Sequence, residues 1–308
     1  MASMLNHSCA PNAHHYQVLT TGALPTVEFR ALQPIAKGEE VCYSYLDRYQ
    51  PVEMRQSLLR RAYFFNCVCQ RCQPPVDAGQ AVPEAIALQE EMVGGLGCNC
   101  SRGGGRGSAC DGVMVGWKGE GCQASSNQGT AGACHLCGAK ETAEAIWGRY
   151  EASVKAAEQG VRVAAAVLQK EKERPADLKA LQLARASVDR AITQSTLHKK
   201  HFLHLRLYTL GAQVSRHLVE AGVQNKEEIM KERIAYLVKA VTCVRDCIGG
   251  YSSELGDLYG DLAEAVEALG ESDCAEELEE LEAYGLPKAA SSLAEMSREL
   301  LRVCFGDV

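Results

Sequence analysis

At 308 residues, 46% hydrophobic and 23% charged, the chain has room for two or more domains, since single cores stop growing at about 250–300 residues, and no run approaches the roughly 18 apolar residues of a membrane helix. The net charge of −7 is uneven: residues 1–75 hold seven Lys and Arg against five Asp and Glu, which leaves −9 on the remainder. An acidic body without a basic stripe attracts phosphates weakly, which argues against direct nucleic-acid binding and for a basic protein or peptide as partner.

The opening MASMLNHSC lacks the basic and apolar regions of a secretory signal, so a reducing compartment, nucleus or cytoplasm, is expected. Fifteen cysteines then read as thiols or metal ligands rather than a disulfide framework. After the compact polar string Asn6-His7-Ser8-Cys9-Ala10-Pro11-Asn12, apolar runs at Thr26–Leu32 and Glu40–Tyr45 alternate with turn residues and predict strands, joined through Pro34, Lys37 and Gly38. Pro51–Tyr63 has helical spacing that places Met54, Leu58 and Leu59 on one face, and Cys67-Val68-Cys69-Gln70-Arg71-Cys72 follows.

Residues 94–138 are rich in glycine, serine and cysteine and too poor in apolar side chains for a core of their own, so a loop or metal knuckle is expected. From Ala139 onward alanine- and leucine-rich helices are broken at Pro175, near Gly222, at Gly249-Gly250, at Gly270 and at Gly285–Pro287. Two amphipathic pairs are predicted, Thr196–Ala221 with Lys226–Ile248 and Ser252–Leu269 with Ser272–Ala283. They suggest a tetratricopeptide-like array or an irregular helical bundle.

Three motifs carry chemistry, in order: Asn6–Asn12, Gly38-Glu39-Glu40 leading to Tyr43-Ser44-Tyr45-Leu46-Asp47, and Tyr63-Phe64-Phe65-Asn66 before the CxCxxC run. Over about residues 2–75 they resemble the second half of SET-domain protein-lysine methyltransferases of the SET-and-MYND (SMYD) family, where the first motif passes beneath another loop in a knot-like crossing. The resemblance implies an α+β chain: a partial β-rich SET domain over residues 1–50 and a zinc-bound post-SET segment over 51–75. A glycine- and cysteine-rich linker or second knuckle over 76–138 and an all-α tetratricopeptide-like domain over 139–308 complete it.

It also implies roles. Asn6 and His7 contact S-adenosylmethionine, whose polar edges their donors and acceptors suit, and Phe65 packs on that cofactor. Tyr45 is the implied catalytic residue and Tyr63 lines the lysine channel, with Tyr43, on the same strand face as Tyr45 by the two-residue repeat, a second candidate. The reaction implied is in-line transfer of the sulfonium methyl to a neutral lysine amine of a protein substrate. Cys9, Cys67, Cys69 and Cys72 are the implied structural zinc ligands; CxCxxC alone is one thiolate short of a tetrahedral site.

A second, weaker zinc candidate combines Cys98, Cys100, Cys134 and Cys137, the last two in a CxxCG turn, with Cys110, Cys122 and His135 open alternatives and a metal-free linker another. A complete domain of this family carries a glycine-rich cofactor loop and a MYND finger upstream of the first motif. The chain is therefore expected to be a piece of a longer enzyme or a short form without methyl transfer. A non-catalytic scaffold binding a partner peptide in the helical groove is the other reading.

Overall fold

The structure is a computed structural model and describes residues 4–18, 26–72, 84–99, 110–115, 130–171, 177–248, 252–271, 273–283 and 285–305. The amino-terminal part is built from short strands. β1 (Asn6–His7) runs parallel to β4 (Cys42–Tyr43), pairing Asn6 with Cys42 and His7 with Tyr43. β2 (Ala13–Val18) and β3 (Thr26–Ala31) form an antiparallel hairpin from Ala13–Ala31 to Val18–Thr26. The strand expected over Glu40–Tyr45 shortens to its middle two residues, because Asn12 and Ser44 side chains take up neighbouring backbone groups.

The helix expected over Pro51–Tyr63 is present as α1 (Val52–Tyr63), but its buried face is not the one its apolar residues suggest. Arg55 and Leu59 are fully buried, whereas Met54 is 40% exposed. Arg55 has anionic and carbonyl partners inside, described below, which reverse the usual ordering of the two side chains. After α2 (Glu84–Gly94), β5 (Met114–Val115), β6 (Thr130–Cys134) and β7 (Lys140–Thr142) form a small antiparallel sheet in the stretch expected to be loop or knuckle. Val93, Leu96, Val113 and Met114 are completely buried there, because the segment leans on the helical core rather than on one of its own.

The helical part comprises α3 (Ala143–Glu171), α4 (Leu178–Thr193), α5 (Phe202–Glu220), α6 (Lys226–Ile248), α7 (Ser253–Leu269), the short α8 (Glu279–Ala283) and α9 (Ala290–Phe305). Asp177 caps α4 by accepting from the Lys179 N–H, and Ser252 caps α7 by accepting from the Leu255 N–H, each satisfying one donor that the first turn leaves free. α3, α4 and α5 pack on one another; α5 then packs on α6 and α6 on α7. The pairing of α5 with α6 agrees with the sequence, except that residues 196–201 form a separate strut before α5.

The second expected pair is wrong in its partner. α7 packs most heavily on α9, while the described residues of 273–283 are mostly turn and the short α8 among them packs on α6. Acidic residues crowd that segment, and among its described residues Cys274, Leu278 and Leu281 are the buried ones. On α7, Gly256 and Gly260 lie one turn apart and open a groove that Leu301 and Ser297 of α9 fill; a Cβ at Gly256 would come within 2.8 Å of Leu301 Cδ2. α9 also reaches back to the hairpin, where the Phe305 ring meets His14 at 5.3 Å and Tyr16 at 5.5 Å.

Leu207 is fully buried where α5 crosses α3 and α4, its Cδ2 closing on the open face of Gly160. Leu207→Ala should therefore lower the unfolding free energy by about 2–5 kcal/mol, while Leu183→Ala, at a side chain 66% exposed, should change it by less than about 0.5 kcal/mol. Urea titration of both reads the difference. Burial, with Lys239 nearby, pulls the His204 imidazole down to about 4. The unfolded chain takes up that proton near the ordinary value of about 6.5, so stability falls as pH drops from about 6.5 towards 4 and returns above that window. His204→Gln should have a shallower loss over that range than its parent; equal slopes would remove His204 as the cause.

Candidate active site and metal centres

Asn12 holds the crossing of the amino-terminal motif over the Gly38–Tyr45 segment. Its Nδ2 donates to Glu39 Oε1 at 3.1 Å and to the Glu40 carbonyl at 2.8 Å, and its Oδ1 accepts the Cys42 N–H at 2.9 Å. Asn12 is buried, so these bonds form away from competing water. The sequence motif contains this asparagine, but nothing in its spacing reveals that it is the clamp.

Beyond the clamp, His7 Nδ1 accepts the Tyr45 N–H at 3.0 Å, which leaves the ring proton on Nε2, 3.2 Å from Cys9 Sγ. One imidazole thus connects the strand of Tyr45 with the sulfur cluster. The Tyr45 hydroxyl donates to the Leu5 carbonyl at 2.6 Å. Desolvation, together with the Tyr43 and Tyr63 hydroxyls, raises its pKa, so it is a neutral phenol near pH 7. Asn6 is exposed and donates from Nδ2 to Glu40 Oε1 at 2.6 Å.

The rings form a continuous wall. Tyr45 lies 4.8 Å from both Tyr43 and Tyr63, His7 lies 5.2 Å from Tyr45 and 6.0 Å from Phe65, and Phe65 meets Tyr45 edge-on at 6.4 Å. Such tilted contacts suit the ring quadrupoles. Tyr43 also packs on His15 at 4.7 Å and on Phe29 at 5.2 Å, which makes it the link to the hairpin. Tyr63 ends α1, and Phe64 turns the chain in the left-handed region at φ 61°, so Tyr63 and Phe65 both join the wall while Phe64 is 88% exposed.

The Sγ atoms of Cys9, Cys67, Cys69 and Cys72 all lie within 4.8 Å of one another. Cys9 is 3.4 Å from Cys72 and 4.0 Å from Cys67, close to the ~3.8 Å edge of a tetrahedron with Zn–S of about 2.3 Å. Hydrogen bonds from Cys72 and Cys9 push the Cys69 thiol far down, while those to Cys69 push Cys9 far up and Cys72 up to about 12. Sulfurs that polarise one another at this spacing are groups whose protons a bound cation would displace. Gln56 fixes the knuckle to α1 from both sides, donating to the Cys67 carbonyl at 2.7 Å and accepting the Cys67 N–H at 3.0 Å.

A buried charge group lies beside this cluster. Arg55 donates to the Gln50 carbonyl and, at 3.0 Å, to Glu90 Oε2, and its other terminal nitrogen is 3.8 Å from Cys72 Sγ. Arg71 meets Glu90 Oε1 at 2.7 Å and donates to the carbonyls of Cys9 at 3.0 Å and Arg48 at 3.1 Å. Glu90 therefore joins α2 to both ends of the knuckle. Its place on a polar stretch of α2 carries no sequence signal for this role.

Of the second set of cysteines, Cys98, Cys134 and Cys137 are brought together, and the fourth thiol beside them is Cys110. Cys100 and Cys122 lie outside the described residues. His135 turns to the Val113 backbone, its Nδ1 3.0 Å from that N–H, and is absent from the group.

The parallel crossing, the ring wall and the cysteine staple define a class, and residues 1–46 match the SET domain family. Human N-lysine methyltransferase SMYD2 is 46% identical over 70 residues, which cover 23% of this chain and 15% of that protein. SMYD2-B of Xenopus laevis is 43% identical over the same length, and a SET and MYND domain-containing protein of Dictyostelium discoideum is 38% identical over 71 residues, or 17% of its length. Through this segment the chain is similar to SET-domain proteins of the SET-and-MYND kind. The match spans less than a fifth of the relatives' length.

Removing Glu90 leaves two guanidinium groups without their shared anion, one fully buried and one 10% exposed. Glu90→Ala should lower the unfolding free energy by about 3–5 kcal/mol and speed zinc loss to a chelator, with Glu90→Gln intermediate. An unfolding midpoint equal to that of the parent would exclude the triad as a stabilising element.

Proposed function

We propose that this chain carries the catalytic tyrosine and part of the cofactor pocket of an S-adenosylmethionine-dependent protein-lysine N-methyltransferase. The convergence of His7, Tyr45, Tyr63 and Phe65 beside a cysteine staple supports the reading most directly. The printed activity of the SMYD2 relatives, N-lysine methyltransferase, supports the reaction class.

The residues suit such a cofactor. Exposed Asn6 offers carboxamide donors and an acceptor, the half-buried His7 ring lies between Tyr45 and Phe65, and Phe65 offers an aromatic edge and face for a purine. When bound, S-adenosylmethionine supplies an electrophilic sulfonium methyl. With cofactor and substrate covering the rings of Tyr45 and the 45% exposed Tyr63, the apolar surroundings so formed favour a lysine amine in its neutral, nucleophilic form. The Tyr45 phenol is a weak base, and its oxygen retains lone pairs while its proton is held on the Leu5 carbonyl. Its contribution is alignment, and holding two reactants in attack geometry is worth on the order of 7–11 kcal/mol.

In this reading Cys9, Cys67, Cys69 and Cys72 hold zinc and fold Tyr63 and Phe65 onto the strand of Tyr45. Residues 1–50 form the SET part, 51–75 the post-SET part, 76–138 the linker with its own knuckle, and 139–308 a tetratricopeptide-like body. A groove of about 770 Å³ runs beside Asp47 and Tyr49 along α5, α6 and α7, and it favours a lysine-bearing protein or peptide as occupant. Asp47, Glu254, Asp257 and Asp261 line it together with Arg206 and Arg216. The same groove supports the second reading, a scaffold that binds a partner peptide without methyl transfer.

Calorimetry on the zinc-loaded chain should show saturable S-adenosylmethionine binding. Tyr45→Phe should leave that binding within a few-fold and lower methyl transfer to a lysine protein by roughly 100-fold or more, the pattern of a group acting in the transition state. An unchanged rate would overturn the role of Tyr45. Absence of cofactor binding, with peptide capture retained in Tyr45→Phe, would favour the scaffold.

A further inference from the structure

The four-thiol group at Cys98, Cys110, Cys134 and Cys137 is separate from the staple beside Tyr45 and is reached from different elements. Cys98 follows α2, Cys110 precedes β5, and Cys134 and Cys137 flank the turn between β6 and β7. Their Sγ atoms all lie within 4.8 Å of one another, with Cys98 3.6 Å from Cys137 and Cys110 3.7 Å from Cys134. Two independent features of the backbone fit a metal here. Gly138 has φ +69° and donates to the Cys134 carbonyl at 2.9 Å, which curls the Cys134–Cys137 turn around its sulfurs. Gly112 admits the Cys134 sulfur against bare backbone: a Cβ there would lie 2.2 Å from Cys134 Sγ and 3.3 Å from Cys110 Sγ.

The small sheet around this group is tied to the residues between α4 and α5. Gly97 donates to the Thr196 carbonyl at 2.9 Å, His198 donates to the Gly95 carbonyl at 3.1 Å, and Leu96 bridges to Leu197. His198 Nε2 is 3.3 Å from the Asp111 carbonyl, next to Cys110, and Lys199 pairs with the Asp111 carboxylate at 2.8 Å. The same strut, at the Lys200 carbonyl, accepts the buried Tyr49 hydroxyl at 2.8 Å. Tyr49 lies four residues beyond Tyr45 and lines the groove. Backbone and side-chain hydrogen bonds therefore tie the segments bearing the thiols to residues 196–200, and that strut to Tyr49 on the segment after Tyr45.

We propose that Cys98, Cys110, Cys134 and Cys137 form a second, structural zinc site that braces the strut on which Tyr49 and the groove rest. Four thiolates favour a soft or borderline cation over a hard one, and a closed tetrahedral set with no open position is structural rather than catalytic. Cys110 is the ligand that spacing alone does not select, because it lies 12 residues beyond Cys98 and 24 before Cys134, and the pairing of β5 with β6 brings it to Cys134.

Metal analysis of the full chain expressed with zinc should give two zinc ions per chain. Cys110→Ser and Gly112→Val should each retain one, Cys67→Ser should retain one by losing the other, and Cys100→Ser and Cys122→Ser should both retain two. Hydrogen exchange should quicken at residues 195–200 in Cys110→Ser and not at residues 4–12. In the unsubstituted chain, the second equivalent of cobalt(II) should show the sulfur-to-metal charge-transfer absorption of thiolate ligation. A single zinc in the parent chain, iron in place of the second zinc, a second cobalt without thiolate absorption, or loss of zinc in Cys100→Ser would overturn the assignment. Because none of these readouts uses methyl transfer, failure of the methyltransferase reading would leave their outcome unchanged.

Discussion

Cys9 and Cys67 are 58 residues apart in sequence and 4.0 Å apart in space, and most of the amino-terminal architecture follows from their meeting. Closing a loop of that length is entropically unfavourable, by an amount that grows only slowly with length. Asn12 opposes it with its clamp on residues 39–42, the Cys9–Cys72 group with metal-binding chemistry, and Leu59 with a fully buried side chain. The structural zinc proposed there would contribute on the order of 10–16 kcal/mol, as in small metallo-domains, enough to hold strands of two residues each that would not persist alone.

The charge balance explains why arginines are buried here. Filled with zinc as proposed, the four-thiolate site would carry a formal charge of about −2, and burying it without counter-charge would be unfavourable. Arg55 near Cys72 and Arg71 on the Cys9 carbonyl bring positive charge to it, and Glu90 then balances part of the arginine pair. The acid comes from α2, so the same interaction that neutralises the knuckle joins it to the first helix of the following region. Gln89 beside it donates to the Asp246 carbonyl of α6 at 2.8 Å, which extends the connection into the helical part.

Much of this site was legible in the sequence because its parts are local strings. The Asn6–Asn12 motif, the Glu39–Asp47 strand and the CxCxxC run each announce a residue type and spacing, and their order supplies the resemblance. What spacing hides is long-range pairing of polar groups. The burial of Arg55 in preference to Met54 depends on Glu90, 35 residues away, and no helical periodicity contains that partner. Helix limits were readable from Pro175, Gly222 and Gly270, yet the partner of α7 was not. Its choice depends on Gly256 and Gly260 meeting Leu301 and Ser297, a match of small to large side chains that appears only once two faces are set together. The second thiol group follows the same rule, since Cys110 joins it through strand pairing.

Phe64 brings these effects together at one residue. A non-glycine side chain at φ 61° is disfavoured by about 1–2 kcal/mol, and an 88% exposed phenylalanine recovers little of that by burial. The conformation persists because both flanks are held. Upstream, Tyr63 packs 4.8 Å from Tyr45; downstream, Cys67 is fixed by Gln56 and by the sulfur group. With the knuckle released, the left-handed turn would lose its downstream constraint, and Tyr63 and Phe65 could no longer be held on the same wall. The geometry of the rings around Tyr45 is thus a property of the metal-binding segment as much as of the strand that bears the tyrosine.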